Sequence, residues 1–164
     1  MLSATSGNTA HVRRGILRST FVLTLLLAIS SFASGTAVAA ELGDYLWTSR
    51  PLLLFAPSDR DPRLVDTVQR IQASRCDVVD RDMVIGVVVN EGVSSLDGQA
   101  VGADQARRLM KQYAVDENAF TVVLVGKDGG EKLRVNQVPD LRTIYAVIDG
   151  MPMRSREANS GPRC

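Results

Sequence analysis

Pro51-Leu-Leu-Leu-Phe-Ala-Pro57 is an unbroken apolar run with a proline at each end, and Asp82 to Asn90 (DMVIGVVVN) is a second one, rich in β-branched residues. Short apolar runs without alternation read as strands buried on both faces, as in a sheet covered by helices. Between them, Ser58-Asp59-Arg60-Asp61 breaks the first run; Asp61 is placed to cap a helix and Pro62 suits its first turn. From Pro62 to about Arg75, Leu64, Val65, Val68 and Ile71 recur at spacings of three and four, one apolar face of an amphipathic helix. Strand, helix and strand at this spacing form a βαβ unit, which predicts parallel strands and a right-handed crossover.

The pattern extends in both directions. Upstream, Glu41 to Arg50 is a short lead-in whose aromatic pair, Tyr45 and Trp47, is expected to plug one edge of the core. Downstream, Glu91 to Gly102 reads as a loop with an Asp97-Gly98 turn, and Ala103 to about Ala114 as a helix with Ala106, Leu109, Met110 and Tyr113 inward. Phe120 to Gly126 and Glu131 to Val135 are strands joined through Lys127-Asp128-Gly129-Gly130, a strong hairpin signal. Pro139 to Asp149 is a last helix, expected to end in a left-handed cap at Gly150. The order β-α-β-α-β-β-α predicts an α/β fold of thioredoxin-like type. It is a three-layer α/β/α arrangement around a four-stranded mixed sheet in the order 2-1-3-4.

Composition narrows the function classes. Met1 to about Ala40 reads as a signal peptide: Arg13, Arg14 and Arg18 precede the apolar run Thr20 to Ile29, and Ala37-Val38-Ala39 has the small-x-small pattern of a cleavage site near Ala39/Ala40. That run is well short of the roughly 20 residues that cross a bilayer core. The expected domains are therefore a signal peptide over 1–40, a thioredoxin-like domain over 41–153 and a polar tail over 154–164, in a periplasmic or secreted protein with no membrane attachment after cleavage. The single histidine, His11, lies in the leader, so the exported part has no imidazole base, Ser-His-Asp triad or His-ligated metal. Past the leader there are 16 basic and 18 acidic residues, scattered, which gives no reason to expect nucleic-acid binding.

Several segments together carry a resemblance. LWTSRPLLLFAP, the RDMVI strand, FTVVLVGKDGGEKLR and IDGMPMR, spanning roughly Leu42 to Arg154, resemble the domain-of-unknown-function 4174 family of bacterial exported proteins. A similar domain recurs in vertebrate matrix proteins of the sushi-repeat and coiled-coil-domain-containing type. The resemblance implies a thioredoxin- or peroxiredoxin-like fold and an extracytoplasmic setting. It implies no established reaction.

Thioredoxin-like enzymes place their reactive thiol just after the first strand, where the positive end of a helix stabilises a thiolate. Here that stretch is Ser58 to Asp61, with no cysteine; there is no Cys-x-x-Cys, and Ala119 stands where thioredoxins carry a cis-proline. The only cysteines are Cys76, most of a helix away, and Cys164. Three readings stay open for them: a partly buried thiol at Cys76, a Cys76–Cys164 bridge, or a reactive or intermolecular thiol.

No catalytic residue, cofactor or metal is assigned. Ser58, Asp59, Arg60 and Asp61 are a candidate ligand site, with Arg60 and free amides for an anion or the two aspartates for a hard cation, against turn and cap chemistry alone. Lys127, Asp128 and Lys132 are a candidate partner-binding tip. Asp77, Asp80, Arg81 and Asp82 are expected to be solvated or paired through Arg81, at the sheet end opposite Ser58. Met151-Pro152-Met153 is expected to dock on the body or on a partner. The functional expectation is an exported, non-catalytic module for an unidentified protein or envelope component. The alternatives are a small-anion or metal-binding domain at the Ser58 turn and a Cys76-dependent thiol peroxidase.

Overall fold

Strand β1 (Arg50–Ser58) is the axis of the molecule: Leu52 to Ala56 are all at most 1% exposed. The structure is a computed structural model and describes residues 41–158 and 164. The signal peptide expected over 1–40 lies outside the described residues. After β1 come α1 (Pro62–Ala73), α2 (Arg75–Asp80), β2 (Met83–Glu91), β3 (Ser94–Leu96) and β4 (Gln99–Val101). Then follow α3 (Ala103–Gln112), β5 (Thr121–Val125), β6 (Glu131–Val135), α4 (Leu141–Asp149) and α5 (Pro152–Ala158). A 3₁₀ turn over Leu42–Tyr45 precedes β1.

The sheet runs β4-β3-β2-β1-β5-β6. β1 and β2 are parallel, from Arg50↔Met83 to Ser58↔Glu91, while β5 is antiparallel to β1 and β6 to β5. The expected order 2-1-3-4 is found as β2-β1-β5-β6, but the sheet has six strands and not four, the two extra ones lying beyond β2. The two extra strands are the arms of a hairpin in the segment read as a loop, turning at Asp97 (φ 51) and Gly98 (φ 78). Arms of three residues are too short to display an alternating pattern. The hairpin is nevertheless anchored: Leu96 is buried opposite Gly86, and the Ser94 hydroxyl donates to the Val89 carbonyl and accepts its N–H.

Alternation along β1 divides the core. Leu52, Leu54 and Ala56 face α1, α2 and α4 with Leu64, Ile71, Val78, Ile144 and Ile148, while Leu53 and Phe55 face α3 with Ala106, Leu109 and Met110. Both faces of the sheet are covered, which is why β1 reads as a continuous apolar run.

Three local expectations change. The first helix stops at Ser74, whose hydroxyl donates to the Arg70 and Ile71 carbonyls and meets the Tyr145 hydroxyl at 2.6 Å; a second short helix then carries Cys76. Gly150 is right-handed (φ −78, ψ −5), because the chain runs almost directly from α4 into α5. The stretch read as a polar tail from 154 is helical through Ala158, and Arg154 is buried. No helix among the described residues is long and apolar enough to cross a membrane.

Candidate functional site

Two corners of the molecule hold the charged residues that matter. The first is the carboxyl end of β1. Asp61 caps α1: its Oδ1 accepts the Arg63 N–H at 2.9 Å and the Arg63 Nε at 2.9 Å, and its Oδ2 accepts from Arg63 Nη2 at 2.6 Å. These bonds from Arg63 hold the Asp61 carboxyl below its usual range despite burial. Arg63 in turn lies over the Phe120 ring at 5.2 Å. The Ser58 carbonyl closes the turn by accepting the Asp61 N–H, and Asp59 Oδ2 accepts the Val93 N–H at 3.3 Å. Gly92, at φ +110, makes room for that carboxylate: a Cβ there would sit 2.3 Å from Asp59 Oδ2. Arg60 is exposed.

The four residues of the candidate ligand site therefore share a turn but not a task. Asp61 serves the helix and Asp59 fastens the β2–β3 loop, so the two carboxylates are held by different elements. Among the described residues no cluster of three or more His, Cys, Asp or Glu is arranged to hold a metal ion.

Cys76 lies beyond the opposite end of α1, in α2, and is bonded to Cys164 with a Cα–Cα distance of 5.3 Å. Of the three readings open for the cysteines, the bridge is the one found. The positive end of α1, where this fold ordinarily keeps a thiolate, holds the Asp61 carboxylate.

The second corner is at the amino ends of β1 and β2. Arg50 is 1% exposed; its guanidinium donates to the Arg81 carbonyl at 2.9 Å and to Glu157 Oε1 at 3.2 Å, and Nη1 lies 2.9 Å from Glu157 Oε2. Lys127 is also buried. Its Nζ donates to Asp82 Oδ2 and to Glu157 Oε1, both at 2.7 Å. Burial pushes the Glu157 carboxyl up, but the bonds from Arg50 and Lys127 outweigh it and hold it below its ordinary value. The Arg50 Nε is buried without a hydrogen-bond partner.

Lys127 is thus not part of an exposed tip, as its hairpin position suggested. The chain turns its ammonium inward because two carboxylates are waiting there. Asp128 and Lys132 do stay at the surface, paired at 2.6 Å, with Asp128 also accepting the Gly130 N–H. The Lys132 hydrogen bond lowers the Asp128 pKa.

The cluster Asp77, Asp80, Arg81 and Asp82 joins the same system. Arg81 donates to Asp77 at 3.0 Å and to both Asp149 oxygens at 3.1 and 2.8 Å, and lies 4.8 Å over the Tyr145 ring. Asp80 is bonded to Arg154. Arg50 and Glu157 were missed from the sequence: Arg50 borders an apolar strand, and Glu157 sits in a stretch with no apolar periodicity.

Beside this network lies a groove of about 500 Å³ lined by Trp47, Arg50, Lys127, Lys132, Met151 and Met153, among others. Tyr45 packs on the core as expected, but Trp47 does not plug it: Trp47 is 66% exposed, at φ 65, with its N–H bonded to the Lys127 carbonyl at 2.7 Å.

No curated protein matches the chain. Among solved structures it is similar to a reduced 2-Cys peroxiredoxin of Plasmodium vivax, at TM-score 0.55 and 14% identity over 71% of this chain and 72% of that one. It is also similar to thioredoxin peroxidase I of Plasmodium yoelii, at TM-score 0.50 and 14% identity over 76% and 83%. At such identity the likeness concerns the fold, which is thioredoxin-like. The family model described as "Domain of unknown function (DUF4174)" matches residues 41–157, essentially everything from the 3₁₀ turn to the last helix, and the chain belongs to that family.

Proposed function

We propose that this chain is an exported thioredoxin-like module that binds a protein or envelope component and does not carry out the thiol chemistry associated with its fold. The observation that carries this reading is the occupant of the first helix's positive end. A carboxylate committed to Arg63 sits there, while Cys76 lies past the far end of that helix, in α2, and is tied to Cys164. A nucleophilic thiolate needs an electropositive, accessible setting, and a disulfide sulfur is not a thiolate. Export is supported by the leader-like composition of residues 1–40 and by a disulfide, which suits an oxidising compartment.

The purified protein is expected to show no hydrogen-peroxide consumption and no disulfide reduction above a buffer control. Turnover that disappears in Cys76→Ser would overturn the reading in favour of the peroxidase alternative.

A further inference from the structure

Resting on the binding-module reading, we propose that the groove between Trp47 and the Met151–Met153 corner is the partner-binding surface, and that its occupant is an extended protein segment presenting an apolar side chain beside a carboxylate. Trp47 is the starting point. A bulky aromatic residue at φ 65 is a genuine backbone outlier, and such outliers persist only where the surrounding structure imposes them. Here the Trp47 N–H is held by the Lys127 carbonyl, and the Thr48 and Ser49 N–H groups both return to the Tyr45 carbonyl. The consequence is a division of labour between neighbours: Tyr45 enters the core and the indole is delivered to solvent, 66% exposed.

Across from it, Met151, Pro152 and Met153 close the groove, with Met153 38% exposed. Trp and Met together suit a protein ligand, since an indole supplies a large rigid contact and a thioether adapts to varied shapes. A volume of about 500 Å³ falls in the range of ligand-holding clefts.

Charge chooses among apolar segments. The charged residues lining the groove are Arg50, Lys127, Lys132 and Asp128, three cations against one carboxylate. Asp128 is paired with Lys132; Asp82 and Glu157, which hold Lys127 and Arg50, are not among the lining residues. Arg50 and Lys127 are buried and committed to Glu157 and Asp82, so the lining cation that stands at the surface is Lys132. A segment with an acidic residue next to its apolar anchor complements this lining, and a basic one is repelled.

Trp47 is the only tryptophan of the chain, so its emission reports this groove and nothing else. The full-length protein is titrated with three ten-residue peptides that lack Trp and differ only in whether Glu, Gln or Lys flanks a central Phe-Leu pair. A saturable blue shift is expected with the Glu peptide, at least tenfold tighter than with the Lys peptide and weakened by added salt. Met153→Asp should abolish the shift, and Lys132→Glu, at an exposed position, should reduce the preference for Glu over Lys. The inference is overturned by no saturable shift with the Glu peptide up to millimolar concentration, by equal affinity for the Glu and Lys peptides, or by a shift produced by decanoate but by none of the peptides. Cross-linking in the cell envelope separates the two claims. A partner captured equally by the wild type and by Met153→Asp sinks the groove and leaves the binding module standing.

Discussion

Lys127 shows how context reassigns a residue. Its place next to an Asp-Gly-Gly turn made it look like surface decoration, yet it is 8% exposed and bonded to Asp82 and Glu157. Removing one partner from a buried ionic network strands the others without water, at a cost of about 3–5 kcal/mol. Lys127→Ala is therefore expected to lower the unfolding free energy by roughly 3 kcal/mol in urea denaturation. Lys132→Ala, across the hairpin turn and solvent-screened, should change it by less than about 1 kcal/mol. Equal effects would mean that the Lys127 network is solvated. Asp61 makes a second prediction. Its carboxyl is lowered first by the Arg63 hydrogen bond, so its folded-state pKa lies below the unfolded value of roughly 4. The associated stability is fully present above that unfolded value and is lost as pH falls through the folded one. Asp61→Asn should thus destabilise the protein at pH 7 and flatten its loss of stability between about pH 5 and pH 2 relative to wild type. Thermal unfolding across that range checks both.

Elements differ in how plainly they announce themselves. β1, β2 and β5 each carry an unbroken apolar run because helices cover both faces of the sheet, and these runs are visible in the residue string. The β3–β4 hairpin is not, since three-residue arms carry no periodicity. The residue that marks its seat is Gly86, in the middle of a strand rich in β-branched residues. Glycine inside a strand often marks close approach of other groups, and a Cβ at Gly86 would lie 2.7 Å from Leu53 Cδ2 and 3.1 Å from Leu96 Cδ1. Gly86→Val should therefore overpack the seat of the hairpin and cost about 1–3 kcal/mol. Unchanged stability in chemical denaturation would show that Leu53 and Leu96 move aside freely. The last helix, α5, was hidden for a different reason. Its contacts with the body run through Arg154 and Glu157, so it has no apolar stripe by which to be found.

At the scale of the molecule, chemistry is concentrated at the two ends of one sheet. The end where this fold usually works is occupied by a helix cap and a fastened loop, while the opposite end gathers Arg50, Asp82, Lys127 and Glu157 from β1, the α2–β2 junction, the β5–β6 turn and α5. The Cys76–Cys164 bridge adds a covalent tie across 88 residues of chain. Cross-links closing long loops stabilise chiefly by restricting the unfolded chain, typically by about 2–4 kcal/mol. Cys76→Ser is expected to lose an amount in that range under non-reducing conditions, and a loss below roughly 0.5 kcal/mol would show that the bridge constrains little.

What could be read from the residues alone was whatever depends on local order: the buried strands, the amphipathic helices, the capping Asp61 and the hairpin turn. These follow from hydrophobic period and turn chemistry, which are properties of neighbouring positions; the family was legible only through the resemblance of whole segments. The inward turn of Lys127, the burial of Arg50, the partnership with Glu157 and the outward turn of Trp47 were settled by the folded chain, because each depends on groups brought together from segments 30 to 107 residues apart. A charged side chain has no periodicity to betray its partner, and whether it faces water or a counter-ion is decided by where the sheet places its neighbours.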